Sequence, residues 1–142
     1  SAQAVTINLA TGTAVSGGVA DTLLNFENVN GSRHADNITG DGGANILNGL
    51  GGADILNGGG GDDAFVFNAT QANGDVITDF VGNGAGAGDT LRFVGFGTAA
   101  QGATFTQLDG THWQIHSGLD GHNEILTFSN AAGVHVSDVF LV

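Results

Sequence analysis

The chain has 142 residues, among them 26 glycines and neither proline nor cysteine, and its formal net charge is −12. Fourteen acids stand against Arg33 and Arg92 alone, which excludes the clustered basic surface that nucleic acid or an anionic membrane requires. The missing cysteine excludes disulfides, thiolate nucleophiles and Cys-ligated zinc, and no run approaches the roughly 18 apolar residues of a membrane helix.

What remains is a self-repelling chain in search of a counter-charge. Twelve of the fourteen acids are Asp, the short carboxylate that suits tight turns and hard-metal ligation. A divalent cation is therefore the expected partner. No basic-then-apolar leader opens the sequence, so a signal for export is expected elsewhere.

In chain order, residues 1–21 carry the alternation Val5, Ile7, Leu9, which predicts a half-buried strand. Thr11-Gly12-Thr13 then turns the chain toward Ala14-Val15. This hairpin is expected to cap the first coil of whatever follows.

Residues 31–66 divide into four units of nine: GSRHADNIT, GDGGANILN, GLGGADILN and GGGGDDAFV. Position one is Gly31, Gly40, Gly49 and Gly58; position six is Asp36, Asn45, Asp54 and Asp63; position eight is Ile38, Leu47, Leu56 and Phe65. Six residues rich in Gly, Ala and Asp suit a turn with several positive φ angles. The next three, such as Ile46-Leu47-Asn48, suit a short strand. Turn plus strand makes half a coil, so two units close a coil of eighteen residues. Stacked coils would set Ile38 over Leu56 and Leu47 over Phe65 in a narrow apolar interior.

The same stacking sets Asp36 over Asp54 on one edge and Asn45 over Asp63 on the other. Carboxylates stacked at a strand spacing of ~4.8 Å repel unless a cation lies between them. Calcium takes six to eight oxygens, backbone carbonyls included, and Gly-rich turns leave carbonyls free to converge. A flexible linker would not hold an apolar residue in phase with Asp or Asn every ninth position. A collagen period of three is absent, as are the helices and closing Glu of an EF-hand.

These units resemble the repeats-in-toxin (RTX) pattern G-G-x-G-x-D-x-U-x, U being bulky and apolar; GLGGADILN and GGGGDDAFV come nearest. The resemblance implies an all-β fold, a right-handed parallel β-roll of nonapeptide repeats. An N-terminal strand cap and a C-terminal antiparallel sheet or sandwich would close it. It implies carboxylate ligands from Asp36, Asp54 and Asp63 and a neutral oxygen from Asn45. Backbone carbonyls would come from the turns, at Gly31, Arg33, Gly40, Gly42, Gly43, Gly49, Gly51, Gly52, Gly58, Gly60 and Gly61. The first unit departs from the pattern, because Arg33 and His34 occupy its glycine region.

TLLNFENVN, residues 22–30, reads as an entry half-coil, with Val29 nine before Ile38 and Glu27 nine before Asp36 as an end ligand. Two to four calcium ions are expected, between turns 27/45, 36/54 and 45/63. The segments are thus 1–21 as N-terminal cap, 22–66 as calcium-binding roll and 67–142 as C-terminal cap.

Beyond Phe67 the nine-residue period stops. Strand-like runs follow at Asp75–Phe80, Thr90–Phe96, Ala103–Leu108, His112–His116, Ile125–Phe128 and Val134–Val142. They predict an antiparallel sheet or small sandwich on the end of the roll. The succession FVF, DVITDF, GDTLRF is similar to the cap of serralysin-type RTX domains. That likeness implies a further ion near Asp75, Asp79 and Asp89, against the plainer reading of solvated turn aspartates. The closing Asp138-Val139-Phe140-Leu141-Val142 resembles the C-terminal signature of type I export, and it also reads as a final cap strand.

No Ser-His-Asp spacing, nucleophile elbow or H-E-x-x-H motif is present, so the chain reads as a non-catalytic module. His112 with His116, and Asp120, His122 and Glu124, offer a transition-metal site as the alternative to satisfied histidines. Trp113 offers a platform for a neutral polysaccharide, as in the carbohydrate-binding modules of secreted polysaccharide-active enzymes, against a plain core role. The expectation is a secreted, monomeric module, exported by type I machinery and folded by extracellular calcium.

Overall fold

The computed structural model describes residues 3–82, 84, 86–130 and 133–142. The fold is all-β. Its strands in chain order are β1 (Val5–Asn8), β2 (Thr13–Ser16), β3 (Val19–Thr22), β4 (Asn28–Ser32), β5 (Asn37–Thr39), β6 (Ile46–Leu50) and β7 (Ile55–Asn57). They continue with β8 (Ala64–Asn68), β9 (Val76–Ile77), β10 (Thr90–Val94), β11 (Thr104–Gln107), β12 (His112–His116), β13 (Asn123–Phe128) and β14 (Val139–Leu141). The only helical pieces among the described residues are single 3-10 turns at Ala99–Gln101 and Val136–Asp138. None is long and apolar enough to cross a membrane.

From β4 to β10 the chain alternates between two sheets, one strand to each in turn. The nine-stranded sheet runs β11-β12-β13-β9-β7-β5-β1-β2-β3, and the five-stranded sheet β14-β10-β8-β6-β4. Strands one coil apart pair in parallel. Ile38 faces Leu56 in β5/β7, Val29 faces Leu47 in β4/β6, and Leu47 faces Phe65 in β6/β8.

The core follows from this register. Each short strand gives its middle side chain to the space between the sheets, and Ile38, Leu47, Leu56 and Phe65 have no solvent exposure. Burying each contributes roughly 1.5–3 kcal/mol. Beyond them the interior turns aromatic: Phe67 stacks on Phe93 at 5.5 Å, and Phe80 meets Phe128 edge-on at 5.3 Å.

The C-terminal third departs from the wholly antiparallel arrangement read from its sequence. Parallel pairing outlasts the nine-residue period: β9 adds to β7, β10 to β8, β13 to β9 and β14 to β10. Among the described residues of this third, only β11, β12 and β13 pair antiparallel. The physical reason is that a parallel ladder needs matched strands, whereas the connection between them is free to lengthen. Asp54 and Asp75 head paired strands β7 and β9 although 21 residues separate them. The run Val134–Val142 is shorter than expected as a strand, its first part being the 3-10 turn.

At the other end β1, β2 and β3 form an antiparallel meander, and β1 also pairs in parallel with β5. The N-terminal hairpin thus extends a sheet edge and has one strand more than its sequence indicated.

Candidate metal centre

The aspartates head the strands. In each coil the position-six side chain lies one residue before the strand, where the turn closes, and Asp36, Asn45, Asp54 and Asp63 are all buried. The main-chain N–H of Asp36 donates to Asp54 Oδ1 at 2.8 Å, and that of Asn45 donates to Asp63 Oδ1 at 2.8 Å. Two ladders of side chains therefore run along the two edges, stepping eighteen residues at a time.

Both ladders continue past the repeat. The Asp54 N–H donates to Asp75 Oδ1, and the Asp63 N–H to Asp89 Oδ1, each at 2.9 Å. One edge carries Asp36, Asp54 and Asp75; the other carries Asn45, Asp63 and Asp89. At the start of the first, the Val5 N–H donates to Asp36 Oδ1 at 2.7 Å.

In the first two units the position-six side chain also reaches back into its own turn. Asp36 Oδ2 accepts from the Ser32 N–H, and Asn45 Oδ1 from the Asp41 N–H at 2.8 Å. Position-one glycines make this approach possible. A Cβ on Gly31, Gly40, Gly49 or Gly58 would collide with a side-chain oxygen of Asp36, Asn45, Asp54 or Asp63 respectively.

The later units depart from this pattern: in the fourth the Gly59 N–H donates to Asp79 Oδ2, and in the third the donor is turned elsewhere. Leu50 holds φ at +72°, and its N–H donates to Asn48 Oδ1 at 3.0 Å. Asp54 Oδ2, fully buried, is left without a hydrogen-bond partner. A buried acceptor without a partner costs about 1–3 kcal/mol, and more if charged.

Burial, with neighbouring carboxylates, raises these acids. Asp54 and Asp63 are pushed up to about 6 and Asp75 to about 8, in each case first by desolvation. Asp36 adds repulsion at Asp54; Asp89, Asp79 and Asp41 add it at Asp63; Asp54 and Glu124 add it at Asp75. Asp89 is raised for the same leading reason. Neither Arg33 nor Arg92 enters an ion pair with Asp54 or Asp63 among the described residues.

The remaining sequence-expected residues fall around this frame. Gly42, Gly43, Gly52, Gly60 and Gly61 lie exposed in the turns, with Gly51 half-buried and Arg33 exposed. Glu27 is exposed and joins the frame through its carbonyl, which accepts the Ile46 N–H at 2.8 Å. Asp79 accepts the N–H groups of Gly58 and Gly59 at 2.9 and 2.7 Å. The place of Asp75 and Asp89 on the ladders was readable in one signal, the Asp-x-apolar triplets Asp75-Val76-Ile77 and Asp89-Thr90-Leu91, which match Asp54-Ile55-Leu56.

The chemistry of these donors fits a hard cation. They are oxygens only, Asp54 Oδ2 has an unused acceptor site, and an oxygen that accepts a single N–H, such as Asp54 Oδ1, keeps a second lone pair. No three His, Asp or Glu side chains gather as a ready ligand set among the described residues. A full shell of six to eight oxygens must therefore draw on carbonyls of the glycine turns.

The histidines are engaged otherwise. Asp109 takes His112 Nδ1 at 2.8 Å, and His116 Nδ1 lies 2.7 Å from Asn123 Oδ1. His122 bridges two carboxylates, with Nδ1 on Asp120 and Nε2 2.8 Å from Glu124 Oε1. Trp113 stacks on Phe105 at 4.9 Å, which covers one face of its ring.

Compared with models of protein families, the chain matches none, and no curated protein matches it.

Proposed function

We propose that the chain is a calcium-binding β-roll of the RTX type, folded by calcium outside the cell and serving as a secretion and folding module of a larger protein. The observation that carries this reading is Asp54 Oδ2, a buried carboxylate oxygen with no partner, one coil from Asp36 and from Asp75. In a chain of net charge −12, a cation is the species that turns this repulsion into attraction. Asp36, Asp54 and Asp63 would supply carboxylates, Asn45 a neutral oxygen and the glycine turns their carbonyls. Asp75 and Asp89 would extend the two series into the C-terminal region.

The same feature supports a folding switch. Where calcium is scarce, stacked buried carboxylates oppose coil closure, and the glycine-rich turns add a large entropic cost. Extracellular modules bind calcium with dissociation constants of ~10⁻⁴–10⁻³ M. At ten times that concentration each site contributes about 1.4 kcal/mol, so three contribute ~4 kcal/mol, comparable with the stability of a small domain. A chain unfolded in the cytosol is threaded through a type I exporter and folds on arrival outside. Far-ultraviolet circular dichroism tests the reading. Strand signal present in millimolar calcium and lost with chelator supports it; the same spectrum and melting in both rejects it.

A further inference from the structure

The last strand of each sheet borders one groove. Phe105 on β11, Trp113 on β12, Val139 and Leu141 on β14, and Val134 and Val136 line it, around a volume of about 690 Å³. Among the described residues its lining carries no carboxylate and no guanidinium, and His135 is the one titratable side chain. In its lining, Val136 is 91% exposed. An apolar groove open to solvent marks an interaction site.

Strand β14 also ends its sheet among the described residues. Val142 bonds back to β10, donating to Phe93 O at 2.9 Å and accepting from Gly95 N at 3.0 Å. Alternation along a strand then turns the N–H and C=O of Leu141 and the C=O of Val139 away from β10. Their side chains pack toward the core beside the groove.

We propose that this end binds an extended peptide of a second polypeptide, which adds a strand to β14 and places alternate apolar side chains in the groove. The free edge supplies main-chain hydrogen bonds and the groove selects side chains. The uncharged lining calls for apolar inward residues. A net charge of −12 favours neutral or basic residues on the outward positions and disfavours a second copy of the same chain.

The test is a fluorescence titration of Trp113, the single tryptophan, in millimolar calcium. The probes are capped octapeptides alternating Val or Leu with Thr, with terminal lysines. Saturable binding is expected. N-methylation of the amides on one peptide edge should weaken it about tenfold or more, whereas methylation on the other edge should not. Amide exchange at Leu141 should slow in the complex, and Leu141→Asp should abolish binding while the chain keeps its circular dichroism. The proposal is overturned if no peptide binds or if both methylated forms bind like the parent. It is equally overturned if the chain only pairs with itself in sedimentation, or if Trp113 responds only to a neutral oligosaccharide.

Discussion

Asp36 and Asp54 are joined through the backbone: the N–H of one donates to the carboxylate of the other at 2.8 Å, eighteen residues away. The bond fixes the coil spacing and brings the two acidic groups together. Strand register and charge repulsion are thereby coupled, since the coil cannot close without stacking its carboxylates. Asp54 sits at the centre, with Asp36 behind it, Asp75 ahead and an orphaned oxygen of its own.

Asp54→Asn should act in opposite directions with and without metal. Without metal it removes a buried charge, and stability should rise by on the order of 1–2 kcal/mol. In millimolar calcium it removes a ligand, and stability should fall relative to the parent. Urea unfolding in chelator and in calcium reads both signs.

Gly49→Ala should destabilise by about 1–3 kcal/mol, because the new methyl group meets the Asp54 carboxylate with nowhere to move. Gly42→Ala, in the exposed part of a neighbouring turn with nothing within 4 Å, should stay within ±0.5 kcal/mol. Paired thermal melts in calcium distinguish the two glycines.

The metal-free chain should be more stable in mild acid. Asp54 and Asp63 are raised from 3.8 to about 6 and Asp75 to about 8, so the folded state binds more protons than the unfolded one. That contribution is complete below about pH 4 and disappears as pH rises through 6 and 8. In chelator, the urea midpoint should fall between pH 5 and pH 8. In calcium the difference should shrink or reverse, since the metal needs ionised ligands.

Glu124 holds the turn that leads into Asp75, at the end of one ladder. Its two oxygens accept the N–H groups of Thr70 and Ala72, and Oε1 also meets His122. Glu124→Gln places an amide donor against these donors, and about 1–3 kcal/mol should be lost, with faster amide exchange at Thr70 and Ala72. His122, raised above 6.5 chiefly by its bond to Asp120, should titrate above that value by NMR. Its contribution is present at low pH and disappears as pH rises through the raised value.

The repeat was legible because its signal is redundant. Gly, Asp or Asn, and an apolar residue recur in fixed phase, and the pairs Ile38/Leu56 and Leu47/Phe65 lie where that phase sets them. Beyond Phe67 the spacing between coils widens to 21 and 26 residues, so periodicity vanished while parallel pairing continued. Asp75 and Asp89 kept the local Asp-x-apolar triplet, the only trace of their place. The orphaned Asp54 Oδ2 was not legible, because it depends on the left-handed conformation of Leu50, a residue that spends its N–H on Asn48. The groove beside β14 was hidden for a similar reason, being formed by strands distant in sequence.

Thermal unfolding across a calcium series, from excess chelator to ten millimolar, reads whether calcium holds the fold together. The melting midpoint should climb steadily with the logarithm of free calcium, by an amount reduced in Asp54→Asn. A midpoint that stays constant from chelator to ten millimolar calcium would contradict a calcium-held fold.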